Sequence, residues 1–384
     1  MTRGLVYTDP TLADYAIIPE TDLASLCRFL LIPATGIGDL IQFTPVIKNL
    51  KYFLPRSEIS VLAGSEASAQ VLARNPYVDR TLILGERSHK AWLSLSLKLR
   101  LRHGSVDAIL ASAGMPSYFP LLLKAKLIIA FQDFGWGFRA GGRRWIALSR
   151  NTSLNEVEEN LRLLGPLGIR ELEAETDLFM ADDDRNFASA LWDEMSIGKR
   201  WPVIAIHSQC DMREKQWGDE LFTRLIRLLL DTYAECAVFL IGGPEEDVQG
   251  VVGGFEDSFR FVNLVGRTTI LESASIIHKC QLVISNDSSI AHVAAAVGTP
   301  VLTIFGPTDP RRVKPWNQDG DVRVICAELE CSPCYLLYSG RIACRYGSDD
   351  IRCMRAIAPE MVLEQVKQMV DRIACLPKTD APSR

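Results

Sequence analysis

Residues 285–310 read SNDSSIAHVAAAVGTPVLTIFGPTDP. An apolar run at 282–285 enters this stretch and stops at small polar residues, residues 290–297 have helical composition, and 301–305 form a second apolar run closed by a Gly306-Pro307 turn. Strand, polar loop, helix, strand is the repeating unit of a parallel sheet covered by helices. The alternation continues upstream: 203–206 and 237–242 read as strands, 218–233 and 271–280 as helices.

The N-terminal half has the same grammar. Residues 27–33 (CRFLLIP) form an apolar strand, 34–38 a tight loop, and 39–53 an amphipathic helix with Leu40, Phe43, Val46, Ile47 and Leu50 at helical spacing. Residues 59–63 and 108–112 are further short apolar runs of the kind buried parallel strands show. Leu93, Leu95, Leu97, Leu99 and Leu101 alternate with Ser, Lys and Arg, a period that by itself predicts a strand. Residues 156–164 predict a helix stopped by Gly165-Pro166, the acids of 181–184 can cap the next helix, and 197–202 reads as a hinge. The amphipathic segment 359–376 is expected to pack back across the domain junction, and the tail at 378–384 to be disordered. The expected architecture is α/β: two doubly wound, Rossmann-like domains with a cleft between them. The first spans 1–180 and is completed by the helix at 358–376; the second spans 181–357 and carries a cysteine-rich loop at 331–353.

Composition agrees with this. A chain of 384 residues suits two domains at about 150 residues or more each. Apolar residues make up 48% and charged residues 23%, a globular balance that excludes disorder, collagen-like repeats and a coiled-coil rod. Asp and Glu outnumber Lys and Arg by 47 to 42, for a formal charge of −5, so there is no basic excess to neutralise a nucleic-acid backbone. Asp9, Asp14, Glu20 and Asp22, with no long apolar run, make a signal peptide unexpected and place the start of the mature chain near Met1. The most apolar stretch, 118–131, is interrupted by Lys124 and Lys126 and falls short of the ~20 apolar residues a bilayer requires. A cytoplasmic protein, at most peripherally associated with a membrane, is expected.

Ligands of open α/β sheets bind outside the carboxyl ends of the strands, so polar residues there are the candidates. Ala34-Thr35-Gly36-Ile37-Gly38-Asp39 closes the first strand, and its G-x-G lacks a third glycine in register, leaving a dinucleotide fingerprint incomplete. Asp39 reads either as a helix N-cap or as a general base. Asp287, Ser288 and Ser289 open a helix whose free N–H groups and dipole suit a diphosphate; His292, one turn on, either donates to that anion or is a satisfied core histidine. Arg213, Lys215 and Arg267 are cations for a diphosphate leaving group or solvated surface. Glu245 and Glu246 follow a strand, where one binds ribose hydroxyls or both favour a helix N-terminus. Arg100, Arg102, Arg143 and Arg144 are surface charges or contacts for an acidic acceptor.

Of the ten cysteines, Cys27, Cys210, Cys236, Cys280, Cys326 and Cys375 are scattered singly as small hydrophobes. The others run Cys331-x2-Cys334-x9-Cys344-x8-Cys353, among Pro333, Gly340 and Gly347. Four thiolates in one loop fit a structural tetrahedral zinc or iron site; free thiols or disulfides are the alternatives.

Taken together, residues 27–375 resemble glycosyltransferase family 9, the bacterial heptosyltransferase family. The stretch 285–310 is similar to the family's nucleotide-sugar signature. Residues 32–55 (IPATGIGDLIQFTPVIKNLKYFLP) resemble its first strand, glycine loop and helix, residues 155–168 (NEVEENLRLLGPLG) a recurrent segment before the hinge, and Lys215-Gln216-Trp217 its K-x-W. The resemblance implies a GT-B fold and inverting transfer from ADP-L-glycero-β-D-manno-heptose, or a similar nucleotide sugar, to an acceptor hydroxyl. It implies Asp39 as base, Lys215 beside the donor phosphates, and Asp287, Ser288, Ser289 and His292 in the diphosphate loop. One of Glu245 or Glu246 would be the ribose acid, with Gly38, Ser208 and Thr269 completing the donor set. Residues 93–103 would be helical, and no cofactor would be needed for chemistry. In protein-modifying relatives a C-terminal cysteine finger holds iron. The acceptor would be a glycan, a lipid-linked glycan, a protein or a small molecule. Two features depart from the pattern: His207-Ser208-Gln209-Cys210 stands where relatives have a P-G-A-like turn, and residues before Cys27 have no counterpart. A GT-B epimerase or hydrolase, which needs no acceptor, and a non-catalytic nucleotide-sugar-binding protein are the rival readings; Asp39, Lys215, Asp287 and His292 argue against the second.

Overall fold

The structure, a computed structural model, describes residues 6–7, 17–86, 88–103, 105–132, 144–170, 172–255, 258–317, 321–336, 341–342, 344–346 and 350–375. The tail at 378–384 and Arg143 lie outside these residues. The chain divides into two compact units, Met1–Leu178 and Phe179–Arg384.

The first unit is built on a six-stranded sheet of β1 (Arg28–Ile32), β2 (Glu58–Ala63), β3 (Arg80–Ile83), β4 (Ala108–Ala111), β5 (Leu127–Phe131) and β6 (Arg144–Leu148). All pairings are parallel, in the order β3-β2-β1-β4-β5-β6. The second unit repeats the design with β7 (Val203–His207), β8 (Ala237–Leu240), β9 (Phe261–Asn263), β10 (Leu282–Asn286), β11 (Val301–Phe305) and β12 (Val322–Cys326). Its order is β9-β8-β7-β10-β11-β12, again all parallel. Both are doubly wound 3-2-1-4-5-6 sheets, so each has a topological switch point, β1/β4 in one and β7/β10 in the other. Apart from Arg28 and Glu58 at the starts of β1 and β2, the central strands are buried, which is why they read as continuous apolar runs rather than alternating ones.

The principal helices are α1 (Ile37–Phe53), α2 (His89–His103) and α3 (Tyr118–Leu123) in the first unit. The second has α4 (Asp182–Glu194), α5 (Asp219–Thr232), α6 (Ile270–Lys279), α7 (Ser289–Ala296) and α8 (Pro359–Cys375). In α1, Pro45 has no N–H to give the Ile41 carbonyl, and the Thr44 hydroxyl donates to that carbonyl instead at 2.7 Å. Among the described residues no helix is long and apolar enough to cross a membrane.

Four local expectations need correction. Residues 93–101 are helical, as the family resemblance implied, and not a strand. Their leucines fall into two stripes on opposite faces of α2, Leu95 and Leu99 buried and Leu93, Leu97 and Leu101 exposed. The helix at Glu156–Leu161 continues as a 3-10 turn through Gly165-Pro166 and ends at Gly168, where φ is +77°. The chain passes between units near residue 178, not at 197–202. Packing explains the shift: in α4, Trp192 meets Phe239 of β8 at 5.1 Å, and α4 therefore belongs to the second unit. Finally, α8 does not complete the first domain. Its Val362, Leu363, Val366, Met369 and Val370 share one core with Ile204, Phe222, Leu225 and Ile284 of the second unit.

Candidate active site

The switch point of the second sheet gathers most of the candidates. Ser285 of β10 is in register with His207 of β7, so the two strands deliver His207-Ser208 and Asn286-Asp287 side by side at their carboxyl ends. Asn286 is fully buried and fastens the neighbouring loop. Its Oδ1 accepts from the Trp217 backbone N–H at 3.1 Å, and its Nδ2 donates to the Ser208 carbonyl at 2.7 Å. The Trp217 indole N–H donates in turn to the Ile357 carbonyl at 2.9 Å.

That anchored loop sets Lys215 against Asp287, Nζ to Oδ2 at 2.7 Å, and the Thr308 hydroxyl donates to the same carboxylate oxygen at 2.7 Å. Burial works against the Lys215 charge, and the adjacent carboxylate more than restores it, holding its pKa above the ordinary lysine value. The Tyr335 ring lies 5.6 Å from the ammonium.

His207 joins two further candidates. Its Nδ1 is 2.8 Å from Ser288 Oγ, and its Nε2 is 3.1 and 3.2 Å from the two oxygens of Glu246. An ionised Glu246 only accepts, which assigns a proton to Nε2; in the neutral ring Nδ1 then accepts from the Ser288 hydroxyl. Burial opposes ionisation of Glu246, but the His207 contact and the Gly243 N–H at 2.9 Å outweigh it, so its pKa lies below the usual range. Gly242 makes this fold-back feasible: a Cβ there would stand 2.2 Å from Glu246 Oε2. Glu245, by contrast, is exposed. Of the two acids only Glu246 is in the network.

Two buried polar atoms beside this network have no protein partner, Ser208 Oγ and His292 Nδ1. His292 lies one turn into α7, and burial pushes its pKa down to about 4, with Asp287 pulling up and Lys215 pushing down more weakly. The imidazole is neutral at pH 7. Ser289 is the first residue of α7.

Other candidates have local duties. Thr269 is the N-cap of α6: its hydroxyl accepts from the Glu272 N–H at 3.2 Å, and its own N–H donates to Glu272 Oε2 at 2.7 Å. Gly38 and Asp39 lie in the first turn of α1, in the first unit. Gly36, not Asp39, is the N-cap of α1; the exposed Asp39 carboxylate reaches back from the third helical position and accepts from the Gly36 N–H at 3.1 Å. Arg144 pairs with Asp22 at 3.7 Å, and Arg100 and Arg267 are exposed. Cys210 is half-buried, and desolvation pushes its thiol up to about 12, away from the reactive thiolate.

All ten cysteines are free, so no disulfide joins Cys331, Cys334, Cys344 and Cys353. The four come within electrostatic range of one another, Cys334 feeling Cys344 and Cys331, and Cys353 feeling Cys334 and Cys331. Yet among the described residues no three His, Cys, Asp or Glu side chains are arranged to hold a metal ion. The segment is fixed to the Gly306-Pro307 turn after β11. The Cys334 and Tyr335 N–H groups both donate to the Pro307 carbonyl, at 2.9 and 2.8 Å, and the Ser332 hydroxyl donates to the Gly306 carbonyl at 2.6 Å.

The model of glycosyltransferase family 9 (heptosyltransferase) matches residues 93–337, well over half of the chain. The chain is 29% identical over 301 residues to lipopolysaccharide heptosyltransferase 3 of Escherichia coli, covering 73% of this chain and 84% of that protein. Among solved structures, a glycosyl transferase family 9 protein of Veillonella parvula superposes with a TM-score of 0.71 at 20% identity, over 90% of this chain and 97% of its own. The E. coli ADP-heptose lps heptosyltransferase II does so with a TM-score of 0.67 at 19% identity, over 91% and 100%. The likeness in fold is that of GT-B enzymes, two doubly wound sheets in one chain. With the family's sequence pattern running from the first unit into the second, the chain belongs to glycosyltransferase family 9 and is a glycosyltransferase of heptosyltransferase type.

Proposed function

We propose that this protein transfers a heptose, or a sugar of that kind, from an ADP-sugar to an acceptor hydroxyl with inversion, in the cytoplasm and as a step of lipopolysaccharide core assembly. The observation that carries the donor half is the pair of buried, partnerless atoms, Ser208 Oγ and His292 Nδ1, beside a charged Lys215 at the β7/β10 switch point. A diphosphate supplies what such a pocket lacks: acceptor oxygens for the Ser208 and Ser289 hydroxyls and for the N–H groups of Ser288 and the first turn of α7, while the Ser288 hydroxyl stays with His207. Neutral His292 donates from its unpartnered Nδ1 in the tautomer that carries the proton there. Lys215 meets the phosphate charge, and Asp287 acts through Lys215 by holding it. Glu246 takes the ribose hydroxyls, Thr269 and Gly38 complete the donor set, and the names of the relatives support heptose and ADP as the sugar and nucleotide.

In the proposed step the acceptor oxygen forms a bond to sugar C1 as the bond from C1 to the diphosphate oxygen breaks. Asp39 receives the acceptor's proton, and ADP departs with the electron pair. Charge grows on the leaving diphosphate, where Lys215 and the α7 N–H groups stabilise it most. The reaction uses side chains and backbone alone.

Calorimetric titration with ADP-heptose, ADP, UDP-glucose and GDP-mannose tests the donor half, and mass spectrometry with candidate acceptors tests the transfer. Selective binding of the ADP compounds is expected; no binding by any of the four would end the donor reading. Asp39→Ala should bind donor like the parent while transfer falls about 10²-fold or more, the scale of a lost general base. Unchanged turnover would remove Asp39 from the mechanism.

A further inference from the structure

We propose that the outer face of α2 is a docking surface for an anionic lipid bilayer. The inference rests on this helix alone and stands or falls independently of the donor reading. At 100° per residue, Leu93, Leu97 and Leu101 form one stripe, exposed by 50%, 59% and 77%. The opposite face, Trp92, Leu95 and Leu99, is buried in the core of the first unit with Phe119 and Ile109. Among the described residues, α2 is therefore fixed through one face and its second leucine stripe is left exposed.

The charges around that stripe say what it meets. Lys90 lies on the same side as the leucines, Arg100 and Lys98 flank them, and all three are exposed. From His89 to His103 there is no Asp or Glu, although the chain as a whole carries −5. A basic, acid-free helix with apolar residues along its solvent face is the pattern of a segment lying in the headgroup plane, leucines into the acyl boundary and cations against lipid phosphates. A second copy of the chain fits less well. A two-fold contact would set the cationic stripe against itself, and three leucines fall short of the ~1,000 Å² a specific protein interface needs.

The test is co-sedimentation of the full-length protein with vesicles of phosphatidylcholine alone and of phosphatidylcholine with phosphatidylglycerol, at low and high salt. Binding to the mixed vesicles only, weakened by salt, is expected. Two variants divide the contributions: Leu93→Ser with Leu97→Ser and Leu101→Ser, and Lys90→Gln with Lys98→Gln and Arg100→Gln. Each should lower partitioning about tenfold or more, with an unchanged thermal midpoint because the side chains are exposed. No binding to mixed vesicles at low salt, or variants that bind like the parent, would overturn the proposal. So would a parent dimer in analytical ultracentrifugation that the serine variant disperses, since the stripe would then be a self-association surface.

Discussion

His207 holds Ser288 through one ring nitrogen and Glu246 through the other, and so couples the loop proposed for the diphosphate to the acid proposed for the ribose. Removing the ring leaves a half-buried carboxylate with one partner fewer, a loss worth ~1–3 kcal/mol. His207→Ala is accordingly expected to raise the KM for the donor about tenfold or more, with a smaller change in kcat, and His207→Gln to recover part of it. Steady-state kinetics with the donor varied would check this; a fall in kcat alone would count against a role in donor placement. No local motif pointed to His207. Its partners are 39 and 81 residues away, and only the register of β7 with β10 and the Gly242 turn bring them together. Lys215, Asp287 and His292 were legible because K-x-W and the 285–292 loop are contiguous. The choice between Glu245 and Glu246 was not, because adjacent acids on a turn differ only in which one folds back.

At the scale of elements, most central strands announced themselves because burial on both faces leaves uninterrupted apolar runs such as AILA at β4 and VLTIF at β11, whereas LIIAF at β5 was read only as part of the apolar stretch 118–131. The edge strands β3 and β12 did not: they are mostly half-buried, so their sequences, RTLI and VRVIC, carry no clear period. The leucine run in α2 misled by period because its two stripes interleave at every second residue. Helix α8 was recognised as a helix and assigned to the wrong domain, since amphipathicity gives a buried face without naming its partner. That assignment is testable. Met369→Ala empties a fully buried site of the second core and should cost ~2–5 kcal/mol. Limited proteolysis read by mass spectrometry should then show new cleavages after residue 178 while first-unit peptides stay intact; new cleavages in the first unit would return α8 to it.

Whole-molecule stability should carry the imprint of His292. Its pKa is about 4 in the folded protein against 6.5 when unfolded. Above 6.5 both states hold the neutral ring and the group is silent. Below 6.5 the unfolded chain takes up a proton that the folded one refuses until about pH 4, so stability falls as pH drops through that window. The expected loss approaches ~3 kcal/mol at the acid end. Thermal unfolding from pH 4 to 7 should show this slope, flattened in His292→Gln; the same slope in both proteins would assign it to other groups.

The reach of the second core, from Ile204 to Val370, also governs how the chain is made. The first unit is complete in sequence by residue 178 and can close while synthesis continues, whereas the second waits for α8. At ~5–20 residues per second, the stretch from there to the end of α8 at Cys375 takes roughly 10–40 s, during which the faces of β7 and β10 await their cover. A ribosome that stalls before residue 359 would release a finished first unit tethered to an open, apolar sheet, a product suited to chaperone capture or degradation.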